Sequence, residues 1–285
     1  SGRGGSGIPY NPASIGFIEK SEAYFSQVNY LAGIKHGVLT YGTRIGPSDY
    51  IGFHLFYLDS GPMEVTTERY PDGTGEDFHV ISMAARATYA RSLTDRLKIG
   101  GSINYIRDKI AETGMQAVSY DIGSNFNTGI YGTILGMSIT NFGPEVEYAG
   151  EDLSVQVPDT IDVEESLERI TNEFPLPLIF RLGIENELVG PNSSFMKNDQ
   201  HRLILSMDGI KPSDYIVFGS VGIEYGWQKL AFVRMGTHLG HDTAGLSAGL
   251  GLNVRLGKMA LSVDFAFVDY DVLKNTNQLA IGLEF

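Results

Sequence analysis

Residues 245–256 read GLSAGLGLNVRL, with an apolar side chain at every second position. In an extended chain successive side chains point to opposite faces, so Leu246, Ala248, Leu250, Leu252, Val254 and Leu256 share one side. Ser247, Gly249, Gly251, Asn253 and Arg255 share the other. The following segment keeps the rule, with Leu261, Val263, Phe265 and Phe267 against Ser262, Asp264 and Ala266. The closing QLAIGLEF keeps it again, with Leu279, Ile281, Leu283 and Phe285 against Ala280, Gly282 and Glu284.

Moving outward from this stretch, 216–227 sets Val217, Val221, Ile223, Tyr225 and Trp227 against Ser220, Gly222, Glu224 and Gly226. In 177–187, Leu178, Phe180, Leu182 and Ile184 oppose Arg181, Gly183 and Glu185. Tyr131, Leu135, Met137 and Ile139 form the apolar set of 129–141, and Leu97, Ile99, Ile103 and Tyr105 that of 97–105. Less regular runs cover 23–31, 33–45, 49–59, 78–91, 115–127, 200–208 and 229–236. The pattern predicts about fourteen strands, more than a simple sandwich needs.

The second face decides what kind of sheet this is. A soluble sandwich or barrel turns Lys, Glu and Thr outward, whereas here the polar face is Gly, Ser, Ala and Asn with isolated charges. Small polar residues suit a crowded or wet lumen, so the apolar face is expected to meet lipid. Connections point the same way. With both termini on one rim, long segments at 60–77, 142–176, 236–244 and 269–277 fall on the far rim. Short ones at 46–49, 92–96, 127–129, 227–229 and 256–258 fall on the near rim, as in outer-membrane barrels. The segment 188–199, about twelve residues long, falls on the near rim against this rule.

Composition agrees with this class. Hydrophobic residues make up 42%, too many for a disordered chain, and no run of about eighteen consecutive apolar residues offers a transmembrane helix. The net charge is −13 with no basic patch, which argues against a nucleic-acid partner. There is no cysteine, which excludes disulfides, thiolate metal sites and a cysteine nucleophile, and fits export through an oxidising compartment. The opening SGRGGSGIPY lacks the charged and apolar sections of a signal peptide, so the numbering is expected to start on a mature, exported form.

One segment has helical spacing. Val163, Leu167, Ile170 and Phe174 recur at intervals of four, three and four, and Asp162 with Glu165 could form a capping box. The pattern predicts a short helix within 159–174, inside an acidic loop at 145–175. From 145 to 173, ten acids face Arg169 alone, a net −9. The stripe is expected to fold against the far mouth and narrow it, with a partner surface as the second use.

Other motif matches fail on context. Gly2, Gly4 and Gly7 fit a dinucleotide fingerprint, but no strand precedes them and no helix follows. Ser247 sits in G-x-S-x-G, yet mid-strand, where a nucleophile elbow cannot form. His238, His241 and Asp242 read as solvent-facing loop residues rather than a metal site. PDGTGED at 71–77 lacks the ligand order of a calcium loop, and Asn192-Ser193-Ser194 is a glycosylation signal only on a eukaryotic secretory route. No catalytic residue, cofactor or metal is expected.

The carboxyl terminus carries a signal of its own. An amphipathic last strand ending in Phe285 resembles the tag by which outer-membrane assembly machinery recognises barrel substrates. Tyr10-Asn11-Pro12-Ala13 followed by SIGFIEKSEAYFSQVNYLAGIKHGVLTYG resembles the amino-terminal region of the PorV/PorQ-like barrels, relatives of the FadL fatty-acid transporters. YDIGSNFNTGIYGTILGMSITNFGPEVEY at 120–148 and GSVGIEYGWQKLAFVRMG at 219–236 are similar to that group's central and Gly-x-Glu-Tyr strands.

The resemblance implies a non-enzymatic, all-β chain: a single transmembrane antiparallel barrel over 23–285 with residues 1–22 plugging its lumen. In that group Asn11, Pro12 and Ala13 correspond to the segment that enters the barrel. It implies a bacterial outer-membrane location, with outer-membrane lipids, lipopolysaccharide and the assembly machinery as partners. Two functions follow. One is a role in type IX-like secretion, with other cell-surface or secretion proteins held at the outer loops. The alternative is a FadL-like transporter of hydrophobic small molecules. An open porin is disfavoured, because rows of lumenal charge are not evident in the pattern.

Overall fold

The computed structural model describes residues 3–150, 153–156, 166–168, 171–240, 245–270 and 275–285. Fourteen strands close into one antiparallel barrel. They are β1 Ser21–Asn29, β2 Lys35–Arg44, β3 Asp49–Asp59, β4 Val80–Ser92, β5 Leu97–Ile110, β6 Thr113–Asn127 and β7 Ile134–Phe142. The second half comprises β8 Ile179–Gly190, β9 His201–Pro212, β10 Phe218–Trp227, β11 Ala231–Leu239, β12 Leu246–Leu256, β13 Met259–Asp269 and β14 Asn275–Glu284. Each strand pairs with its sequence neighbours, and β14 closes on β1 in a register running from Glu22 opposite Glu284 to Asn29 opposite Asn277. Closure leaves no barrel edge unpaired, which a span through lipid requires.

The apolar faces point outward. Leu250 and Leu252 are 58% and 57% exposed, and Ile122 on β6 is 70% exposed, while Gly249 and Gly251 between the leucines are buried. This inverts a soluble protein, and such an area of exposed apolar surface needs a lipid solvent. Aromatic side chains mark both rims on the outside. Phe142 and Phe180 stand toward the far rim, Tyr89, Tyr225 and Trp227 toward the near one. A charge at mid-strand on this face should therefore be costly. Leu250→Arg is expected to lose about 2–4 kcal/mol when the barrel is unfolded by urea from phospholipid vesicles. A loss within about 0.5 kcal/mol, typical of a water-facing surface site, would place the face outside lipid.

The connections are less one-sided than the sequence suggests. On the far rim, β5 and β6 join through Ala111 and Glu112 alone, with Ala111 at φ 51°. Residues 30–34 and 213–217 are also short far-rim turns. The exceptional near-rim loop after β8 is a compact folded element. Ser193 donates from Oγ to the Leu188 carbonyl (2.7 Å) and accepts from the amides of Phe195 and Met196. Phe195 stacks on Tyr131 of the neighbouring near-rim turn at 5.4 Å.

The helix expected within 159–174 is not what forms at its described positions. Ser166–Glu168 is extended and pairs antiparallel with Ser154–Gln156, placing Leu167 opposite Val155. Phe174 is extended too, paired with Val146. Val163 and Ile170 lie outside the described residues. The physical reason is local: Phe174 precedes Pro175, which disfavours helical backbone at Phe174.

Candidate functional site

The lumen has two unlike walls, and the amino-terminal segment lies against one of them. Two short 3-10 turns, Gly5–Gly7 and Pro12–Phe17, pack inside β1 to β6. Ile8, Ala13 and Ile15 are fully buried, and Ile18 nearly so, together with Tyr50 and Ala90 of the wall. Asn11 caps the second turn by accepting from the Ala13 amide (3.0 Å), and its Nδ2 donates to the Ser124 carbonyl of β6 (3.0 Å). The Tyr10 carbonyl accepts from Ser138 Oγ on β7 (2.7 Å).

Small residues in the wall make this seat. A Cβ on Gly100 would stand 2.7 Å from the Ala13 nitrogen and the Pro12 carbonyl carbon, and one on Gly123 would stand 2.1 Å from Asn11 Oδ1. The Asn-Pro-Ala stretch thus sits where two lumenal glycines let backbone approach the sheet.

Farther toward the far rim the same wall turns apolar. In register across β2 to β6, Val38, Phe56, Ala84, Ile106 and Ala117 form one lumenal row, four of them half-buried. Rings extend the row to the mouth: His36 lies 5.7 Å from Phe56 and 6.0 Å from Tyr30, which meets Tyr270 edge-on at 6.0 Å. The described ends of the 143–178 loop fold down onto it. Val146 and Leu176 are buried with Met115 and Ala117, and Phe174 stacks on Tyr148 beside them at 5.8 Å. Tyr148 donates to Asp108 Oδ2 (3.3 Å). Burial, reinforced by Asp108, raises its pKa and keeps it a donor.

Between this apolar shelf and the amino-terminal segment lies a polar row of Thr40, His54, Arg86, Asn104 and Ser119. Arg86 pairs with Asp121 (3.3 Å), and Asp121 accepts from the Asn141 amide (2.8 Å) where the β6–β7 register slips between Tyr120 and Ile122.

The opposite wall, β8 to β14, is charged. Arg202 reaches Glu187 (3.2 Å) and Glu224 (3.9 Å), while Arg234 reaches Glu224 (2.6 Å) and Asp264 (2.5 Å). Gly251 allows the last of these. Its absent Cβ would lie 2.4 Å from Asp264 Oδ1 and 3.1 Å from Arg234 Nη1, so the guanidinium crosses over β12 to a carboxylate on β13. The ladder encloses a cavity of about 720 Å³. Rows of lumenal charge therefore exist, contrary to expectation. They escape a sequence scan because Glu187, Arg202, Glu224, Arg234 and Asp264 lie on five different strands, far apart along the chain.

Of the residues singled out from sequence, Asn11, Pro12 and Ala13 meet the β5–β6 wall, and Phe174 meets the shelf from the far rim. Phe285 lies at the near-rim seam, donating its amide to Ser21 and accepting from the Ser21 amide (3.0 and 3.2 Å). Ser247 lies within β12, and His238 faces the lumen beside Phe218. His241 and Asp242 are outside the described residues.

No family model matches this chain, and no curated protein does. Solved structures do match. The CymD monoaromatic hydrocarbon channel is 11% identical with TM-score 0.59, over 98% of this chain and 91% of that one. The Pseudomonas putida toluene transporter TodX is 12% identical with TM-score 0.58, over 99% and 93%. A Pseudomonas aeruginosa FadL homologue is 10% identical with TM-score 0.55, over 99% and 94%. The chain thus has the barrel fold of these structures, of which CymD is named a channel and TodX a transporter. None of these three names a role in secretion.

Proposed function

We propose that this chain is an outer-membrane channel for small hydrophobic molecules, with both termini periplasmic and the apolar shelf as its first binding site. One observation carries the reading. The lumenal wall, where a water-filled porin is polar, presents Val38, Phe56, Ala84 and Ile106 half-open to the interior beneath an aromatic-lined mouth. The likeness to hydrocarbon channels supports it, as does the segment lodged beneath the shelf, which bars free diffusion of the bulk solution. In this reading the surroundings are outer-membrane lipid and lipopolysaccharide, and the assembly machinery inserts the barrel.

The test is uptake of labelled toluene by cells whose outer membrane carries the chain. Wild type should exceed a vector control, and Phe56→Asp should lower binding of toluene to the purified barrel by about tenfold or more. That loss follows from about 1.5–3 kcal/mol for an aromatic contact replaced by a charge. Uptake equal to the control would overturn the proposal. The loop makes a second prediction: Phe174→Asp should loosen its described ends from the shelf, seen as faster proteolysis near residue 174 in intact vesicles.

A further inference from the structure

The charged wall has no part in binding a hydrocarbon, yet it is the more extensively built of the two. Its cavity of about 720 Å³ runs from Val268 and His238 near the far rim down to Arg3. A second cavity, of about 420 Å³, starts at Arg3 and opens at the near rim, where Lys20, Arg255 and Lys258 are matched in number by Glu19, Glu22 and Glu284. Arg3 borders both. Its guanidinium is ion-paired with Glu185 of β8 and lies over the Phe17 ring at 5.1 Å. Glu185 is nearly buried, so the pair spans from the amino-terminal segment to the barrel wall at the level where the two cavities meet.

We infer that the lumen holds a second, aqueous pathway for small inorganic cations, and that the Arg3–Glu185 pair is its gate. Water fills polar cavities of this size, and ion-paired side chains along the wall offer successive stations for a permeating ion. The sign follows from the wall. Arg3, Arg202 and Arg234 face Glu185, Glu187, Asp208, Glu224 and Asp264, an excess of two negative charges that favours cations. With the pair closed, the guanidinium blocks the junction and opposes cations by its charge. With the pair broken, the cavities join. This pathway lies on the wall opposite the shelf, so hydrocarbon uptake and ion flow are separable.

The experiment is single-channel recording of the full chain in planar bilayers in potassium chloride, with heat-modifiable gel migration confirming a folded barrel for each variant. Wild type should conduct weakly. Arg3→Glu places two carboxylates at the junction, and their repulsion should raise conductance by about tenfold or more, with potassium preferred over chloride. Arg3→Gln, which removes the guanidinium and its charge, should raise it in the same direction. The charge swap, Arg3→Glu with Glu185→Arg, should return conductance to the wild-type level. Unchanged conductance in Arg3→Glu would overturn the gate. So would a swap that stays as open as Arg3→Glu, because the amino-terminal segment would then have left for reasons unrelated to this pair.

Discussion

Gly100→Val is expected to drive the amino-terminal segment out of the barrel while the barrel itself stays folded. Gly100 has ordinary strand backbone, and a β-branched residue suits a strand, so β5 loses nothing by the change. The clash falls on the backbone of Pro12 and Ala13, at 2.7 Å, and a rigid proline turn capped by Asn11 cannot yield locally. Overpacking of this kind costs about 1–3 kcal/mol, which lowers occupancy of the seat by roughly fivefold to more than a hundredfold. Gly52 supplies the comparison. Its added Cβ would meet the ends of the Ile15 and Ile8 side chains, at 2.3 and 2.9 Å, and those can rotate away. Gly52→Val should therefore retain the segment better. Protease cleavage before residue 20 in vesicles, together with bilayer conductance, reads both variants. Equal behaviour of the two would show that the seat is not set by backbone contact at Gly100.

The barrel was legible because lipid imposes a period of two on every strand, and fourteen repeats of one rule survive errors in any single strand. Leu246 to Leu256 shows this: each apolar side chain of that run lies on the outer face. The meaning of the small residues between them was not legible. Gly100 and Gly251 look alike in sequence, yet one admits a turn of backbone and the other lets Arg234 reach Asp264. That difference depends on which segment crosses the face, which is long-range information. The same holds for the charge ladder, whose members are 22 residues apart at Arg202 and Glu224 and 30 apart at Arg234 and Asp264. The misread helix has the opposite origin. Val163, Leu167, Ile170 and Phe174 have helical spacing, but a spacing of four residues is also met by alternate positions of a strand. Pro175, one residue later, carried the better information.

The two walls share one design principle, which explains why the inner faces are so poor in large side chains. A fourteen-stranded lumen is too wide for wall side chains alone to fill and too narrow to lodge a folded domain. Glycine, serine and alanine at inward positions leave room on one side for residues 3–20 and on the other for water and paired charges. The shelf is the exception to that composition. Phe56 and Ile106 stand inward among small and polar rows, at the level where the far-rim loop descends. An apolar inward row costs nothing in a soluble core but is unfavourable against water, so something apolar has to cover it in part, and loop residues Val146, Phe174 and Leu176 do so.

Phe285 offers the other large expected effect, and its two roles separate by choice of variant. Its backbone closes the seam through two hydrogen bonds with Ser21, while the residue as a whole is 44% exposed at the near rim. Deleting the residue removes both bonds, about 1–3 kcal/mol in all, a loss that a stable barrel tolerates. Phe285→Ala keeps both bonds and removes only the ring. If the ring is what assembly machinery binds, Phe285→Ala should refold from urea into detergent as well as wild type. The amount assembled in the outer membrane of living cells should nonetheless fall to a small fraction, with Phe285→Trp restoring it. Heat-modifiable migration of membrane fractions measures the assembled amount, and equilibrium unfolding measures stability. Full assembly of Phe285→Ala, with loss confined to the deletion, would instead assign the terminus to closing the seam between β14 and β1.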